Sequence, residues 1–135
     1  MIATRAATGM FVLALAACAD LRPLACHGGE RALVVDTLYF GTATPDGTVS
    51  AAQWKDFVDG TLTPRFPDGL TIAPAAGQWR SANGAIVREA SWVVTLAHRD
   101  DAASDASVGA IIGAYKARFR QEAVLRLRTP ACASP

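Results

Sequence analysis

The sequence holds little of what metal centres and nucleic-acid surfaces are made from. Among 135 residues there are two histidines and three cysteines. No C-x-x-C pair and no paired histidine spacing occurs. The adjacent Cys26 and His27, with the distant His98, are the one arrangement that permits a metal reading, and they match no zinc-ligand pattern. No metal and no cofactor are expected. Lysine and arginine number 13 against 12 Asp+Glu, with no basic run or stripe, which argues against nucleic acid as a partner. Carboxylates spaced as a catalytic pair are missing, as is any motif around a serine that marks a nucleophile. Internal repeats and low-complexity tracts are absent too, and the length sets one domain as the upper bound.

Long apolar runs are also lacking. Ala6 to Ala17 is a twelve-residue apolar stretch after Arg5, and at ~1.5 Å per residue it reaches about 18 Å, short of the ~30 Å needed to span a bilayer. It reads instead as a secretory signal. Leu15-Ala16-Ala17-Cys18 resembles a bacterial lipobox, so residues 1–17 are expected to be removed and Cys18 acylated, tethering the protein to the membrane by lipid. The alternative is ordinary cleavage at a small-x-small site such as Ala17-Cys18-Ala19. Ala19 in place of aspartate after the lipid site favours the periplasmic side of the outer membrane. Without residues 1–17 the chain holds 12 Lys+Arg and 12 Asp+Glu.

With Cys18 acylated, Cys26 and Cys132 remain as a pair, and an oxidising compartment favours their bridging. The bridge closes 106 positions, which the chain-entropy account values at roughly 4–5 kcal/mol. Residues 18–31, with proline, two glycines and no periodicity, read as a tether, and 32–132 as the folded domain.

Residues 32–41 (ALVVDTLYFG) are β-branched and aromatic, apolar on both faces apart from Asp36 and Thr37, and predict a strand inside a sheet. Pro45-Asp46-Gly47 marks a turn. Ser50 and Gln53 form a capping-box pattern, followed by Trp54, Phe57, Val58 and Leu62 at helical spacing until Pro64. Residues 70–80 suit an edge strand because Pro74 cannot donate to a ladder. Asn83-Gly84 signals a tight hairpin, and 86–98 a second clear strand. Ser104 or Asp105 is expected to cap a helix whose apolar face is Val108, Ile111, Ile112, Tyr115 and Phe119. Gly109 and Gly113 on it are expected to pack closely on the sheet. Residues 123–128 (AVLRLR) predict a last short strand.

The resulting order is β-α-β-β-α-β, that of a ferredoxin-like α+β fold with a four-stranded antiparallel sheet and two helices on one face. Its first and last strands are neighbours, which places Cys26 and Cys132 at one sheet edge.

The segments DTLYFGTATPDGTVSAAQWKDFV, TPRFPDGLT, GQWR, IVRE and AYKARFRQEAVLR resemble an uncharacterised bacterial family of small secreted or lipoprotein domains, known only as a domain of unknown function, over residues 33–132. In that family a serine often stands where this chain has Ala123, and a basic residue where it has Trp92. The resemblance implies fold boundaries and no activity.

Alternation along 86–98 points Trp92, Val94 and Leu96 toward the helices and leaves Glu89 and Ser91 on the uncovered sheet face. Arg126 and Arg128 are expected to alternate outward near them, with Arg80 at the hairpin. A carboxylate among arginines reads as an anion-recognising cluster, a general base, or a surface ion-pair network. In TPRFPDG the prolines hold Arg65 and Asp68 either as a rigid presenting loop or as a structural corner. Tyr39, Tyr115 and the three tryptophans either line a pocket or fill the core, the latter being the usual fate of aromatics at such spacing. Two functions follow. The first is a non-catalytic envelope lipoprotein that binds a ligand or protein, or dimerises through its open sheet face. The second is a small periplasmic enzyme on an anionic substrate, with Glu89 or His98 as acid-base and Arg65 or Arg80 as anion contact.

Overall fold

The structure is a computed structural model that describes residues 25–134. The expected signal segment 1–17 and acylated Cys18 lie outside the described residues. β1 (Arg31–Gly41) leads into a small ribbon, β2 (Ala43–Thr44) and β3 (Gly47–Thr48), then α1 (Ala51–Phe57). β4 (Thr71–Arg80), β5 (Ile86–His98), α2 (Ala102–Phe119) and β6 (Leu125–Ala133) follow. The main sheet is antiparallel throughout, in the order β4-β5-β1-β6.

β1 is central because its sequence can be buried. Val34, Leu38 and Phe40 face the helices and are buried, as is Asp36 among them, while alternate residues face away and are more open. Both edge strands carry proline, Pro74 in β4 and Pro130 in β6, which removes ladder donors where another chain would otherwise pair. Ser50 caps α1 as the spacing predicts: its hydroxyl accepts from the Gln53 amide at 3.2 Å and Gln53 accepts from the Ser50 amide at 2.8 Å. The helix then widens into one π-helical stretch, Val58–Leu62, with the Thr63 amide bonded to the Val58 carbonyl at 2.9 Å. That turn delivers Leu62 into the core.

Three local expectations are corrected. The N-cap of α2 is Asp101, whose carboxylate takes the Ser104 amide at 2.7 Å, because Asp105 is engaged by arginines of β6. Gly109 and Gly113 are exposed, with open space where a β-carbon would stand, so they make no close packing on the sheet. The Asn83-Gly84 turn is a five-residue loop, 81–85, closed by Ser81, whose amide donates to the Ala85 carbonyl at 2.9 Å.

The core lies between the sheet and the two helices. Phe40 meets Tyr115 edge-on with ring centroids 4.7 Å apart, and Trp54, Phe57 and Phe119 complete the cluster. Trp54 stacks flat on Trp92 at 5.4 Å. Each such side chain contributes about 1.5–3 kcal/mol by leaving water, and the ring pairs add a smaller geometric preference. Cys26 and Cys132 are bridged, with Cα atoms 5.5 Å apart. Cys132 pairs with Ala32 across the β1–β6 ladder, so the bridge pins the start of the first strand to the end of the last.

Candidate functional site

Strand alternation divides the charged residues between two faces. On the open face β1 contributes Tyr39 and Gly41, β5 Glu89 and Ser91, β4 Gly77 and Trp79, and β6 Leu125 and Leu127. The ladder places Gly77 opposite Glu89, Gly41 opposite Ser91 and Tyr39 opposite Leu125. Tyr39, Trp79, Leu125 and Leu127 are all exposed there, the two leucines about half. Between the first three lies a cleft of about 240 Å³ lined by Tyr39, Gly41, Trp79, Glu89, Ser91 and Leu125, among others, with Leu127 outside it.

Glu89 is held firmly at the cleft floor. One carboxylate oxygen accepts from the Trp79 indole N–H at 2.8 Å, the other from the Ala43 amide at 2.6 Å. The side chain crosses Gly41, where any β-carbon would overlap the carboxylate. Gln121 fixes the same corner by donating to the Ala43 carbonyl. Beneath Gly41, on the helix side, the Tyr115 hydroxyl donates to the Gly41 carbonyl at 2.8 Å. Burial pushes the Tyr115 phenol above its ordinary value, and the negative charge of Glu89 pushes it further.

The helix side carries a separate charge network, which corrects the expected orientation of the β6 arginines. Arg126 and Arg128 share the parity of Asp36, and the leucines between them take the open face. The reason is the buried Asp36 carboxylate. Arg126 grips it with two bonds, Nε to Oδ1 at 2.8 Å and a terminal nitrogen to Oδ2 at 2.7 Å, and His98 Nε2 meets Oδ2 at 2.8 Å. His98 Nδ1 lies 2.7 Å from the Arg99 carbonyl. Both ring nitrogens thus face oxygen atoms. Arg126 and Arg128 also bond Asp105, and Arg128 bonds Asp100, so two arginines and His98 meet three carboxylates. Burial raises the Asp36 carboxyl, but the bonds from Arg126 and His98 outweigh it and hold the group below the usual carboxylate value. Phe66 of the TPRFPDG segment packs over His98 at 5.5 Å between ring centroids.

The expected site residues therefore do not converge. Glu89 and Ser91 sit in the cleft as read from alternation. Arg126 is on the opposite face. Arg80 donates to the Gly84 carbonyl at the loop, and Arg65 to the Thr61 carbonyl at the end of the first helical segment rather than to Asp68. His98 is buried in the Asp36 network. The aromatics split: Trp54 and Tyr115 are core, Trp92 packs against it, and Tyr39 and Trp79 flank the cleft. Sequence reasoning missed Asp36 as the centre of a network, although a lone acid in an apolar strand is itself a sign of a paired buried charge. Near the bridge, Glu30 brings an oxygen within 4.8 Å of both sulfurs, but bridged sulfurs offer no thiolate to a metal.

The sheet order and the helices on one face define an α+β domain of the ferredoxin-like class. The chain belongs to the family described as "Protein of unknown function (DUF3574)", matched over residues 35–134. Solved structures with a similar fold include a phage SAM lyase in complex with S-methyl-5'-thioadenosine, at TM-score 0.58 and 15% identity, covering 83% of this chain and 95% of that one. CutA from Synechococcus elongatus PCC7942, complexed with Bis-Tris, matches at TM-score 0.51 and 12% identity, over 78% of this chain and 87% of its own. No curated protein matches. At these identities the likeness is one of fold.

Proposed function

We propose that the protein is a non-catalytic binding domain of the cell envelope, held by lipid at Cys18 on the periplasmic side of the outer membrane, and that the uncovered sheet face is its binding surface. The observation that carries this reading is the concentration of exposed large apolar side chains, Tyr39, Trp79, Leu125 and Leu127, on one sheet face around a cleft. The other sheet face carries the helices over its middle and the Asp36 ion-pair network beside them, and Ile86 is the one large apolar side chain exposed on it among the described residues. The enzyme reading has less support because its acid-base candidates are engaged: both oxygens of Glu89 and both ring nitrogens of His98 already have partners. A second copy pairing through the same face is the first protein partner to test, since a β-branched and aromatic face suits an interface.

The test is a native mass spectrum of the protein extracted from its own membranes without reductant, beside a variant of the cleft-lining leucine, Leu125→Glu. The expected mass is that of residues 18–135 plus acyl chains less two hydrogens, with a dimer or a bound small molecule that the variant loses. A lipid-free mass overturns the anchoring. A bare monomer, or a bound species that survives Leu125→Glu, overturns the open face as the binding surface.

A further inference from the structure

Five acids of this domain, Asp36, Asp46, Asp59, Asp100 and Asp105, each pair with a cation. Glu89 does not, and it stands in a cleft. Among the described residues no lysine, arginine or histidine lies within ion-pairing distance of it, and it is the one charged residue lining the cleft. Its two bonds come from an indole N–H and a backbone N–H, both uncharged donors. They orient the carboxylate without cancelling its charge. A carboxylate accepts up to about four hydrogen bonds, so each oxygen keeps acceptor capacity toward the cleft.

The walls around that charge are aromatic and the floor is bare. Tyr39 and Trp79 are each 36% exposed at the cleft, and the bond from the Trp79 indole to Glu89 fixes that ring beside the carboxylate. Gly77 leaves open space where a side chain would project. Gly41 is required for the carboxylate to lie where it does.

A fixed carboxylate without a cation, set between two electron-rich rings, has one complementary ligand chemistry. We propose that the cleft binds a small organic cation, an ammonium or quaternary ammonium group seated against Glu89 with its alkyl groups packed on Tyr39 and Trp79. Ring quadrupoles attract such cations, whereas an anion is repelled and an uncharged ligand without an N–H or O–H donor leaves the carboxylate desolvated without compensation. At about 240 Å³ the cleft is smaller than the ~300–1,000 Å³ of drug-sized sites, which fits one compact head group and not an extended chain. The alternative expected from sequence, an anionic substrate read by Arg65 or Arg80, finds no support in this cleft: those side chains bond the Thr61 and Gly84 carbonyls, and neither lines it. This inference rests on the open face being the binding surface and adds the chemistry of what it binds.

The probe is choline, compared with its uncharged carbon isostere, in which a tert-butyl group replaces the trimethylammonium. Both are titrated into the full chain with its disulfide intact, and ¹H–¹⁵N spectra follow the Trp79 indole N–H and the Ala43 amide. Saturable shifts at both reporters are expected, with choline at least about tenfold tighter than the isostere. Glu89→Gln, which can still accept an N–H bond, should weaken choline about tenfold and leave the isostere unchanged. Isostere binding equal to choline, or an unaltered choline affinity in Glu89→Gln, overturns the cation assignment while leaving the face as a binding surface. Absence of any shift up to about 100 mM choline, where even the weakest useful affinities register, also overturns it. The binding-surface reading is then decided separately by Leu125→Glu. If Glu89→Gln does not fold, Trp79→Leu replaces it: several-fold weaker choline binding is expected, and unchanged binding overturns the proposal.

Discussion

Replacing Asp36 by asparagine isolates the energetics of the buried network. The wild-type carboxylate takes two bonds from Arg126 and one from His98, all between 2.7 and 2.8 Å, and none of its surface reaches water. Asparagine keeps one acceptor oxygen but turns an amide N–H₂ toward donors, and it removes the negative charge that Arg126 grips with two bonds. Arg126 retains Asp105, itself half exposed, as a poorer partner. His98 is left buried without its carboxylate partner. Breaking one side of a buried pair in this way costs about 3–5 kcal/mol. At roughly 4–8 °C per kcal/mol for a domain near 100 residues, the lower figure predicts a fall in Tm of ~12–24 °C. Calorimetry and urea unfolding at neutral pH, disulfide intact, measure it. A loss below about 1 kcal/mol refutes the reasoning, since it means the charges are solvated. Replacing Asp36, His98 and Arg126 together by apolar residues of similar volume should sit much nearer wild type, because no charge is then orphaned.

The same network gives a pH dependence. The Asp36 carboxyl is held lower in the folded state than its ordinary value of 3.8, so its stabilisation is present above that value and is lost as pH falls through the folded one; Asp36→Asn should flatten the acid limb of the stability profile. Tyr115 acts with the opposite sign, its folded phenol lying above the ordinary 10.0. Its contribution is complete below pH 10 and lost as pH rises beyond it, and Tyr115→Phe should remove that alkaline loss in a spectroscopic unfolding series. Reducing the Cys26–Cys132 bridge, or replacing both cysteines by serine, releases a 106-residue loop and should lower stability by up to about 4–5 kcal/mol by chain entropy; denaturant midpoints with and without reductant check this. Gly109→Ala and Gly113→Ala, which meet nothing within 4 Å, should each raise stability by roughly 0.5–1 kcal/mol through helix propensity, and a loss at either would mean that something covers that helix face.

The sequence by itself determined the elements and their order, because those are local. Ser50 with Gln53 starts α1 through contacts three residues apart. Pro74 marks an edge strand by its missing N–H, and the 3.6-residue spacing from Val108 to Phe119 writes a helix onto the chain. The β-α-β-β-α-β order then fixed the neighbours of β1, and with them the approach of Cys26 and Cys132. Alternation placed Glu89 and Ser91 correctly, since Trp92, Val94 and Leu96 leave no doubt which face is apolar. On β6 the same rule fails. Leu125, Arg126, Leu127 and Arg128 read as apolar-in and charged-out. The tertiary structure reverses this because β6 pairs with β1 in the register that sets the arginines beside buried Asp36. That outcome depends on a partner 90 residues away, and no local pattern carries it. The cleft is of the same kind. Tyr39 and Gly41 of β1, Gly77 and Trp79 of β4 and Glu89 of β5 come from three strands and become a site only when the ladders bring them side by side, with the Trp79 indole and the Ala43 amide holding Glu89 in place. Burial preferences belong to single residues and can be read one at a time, whereas the pairing of a charge is a property of the packed chain.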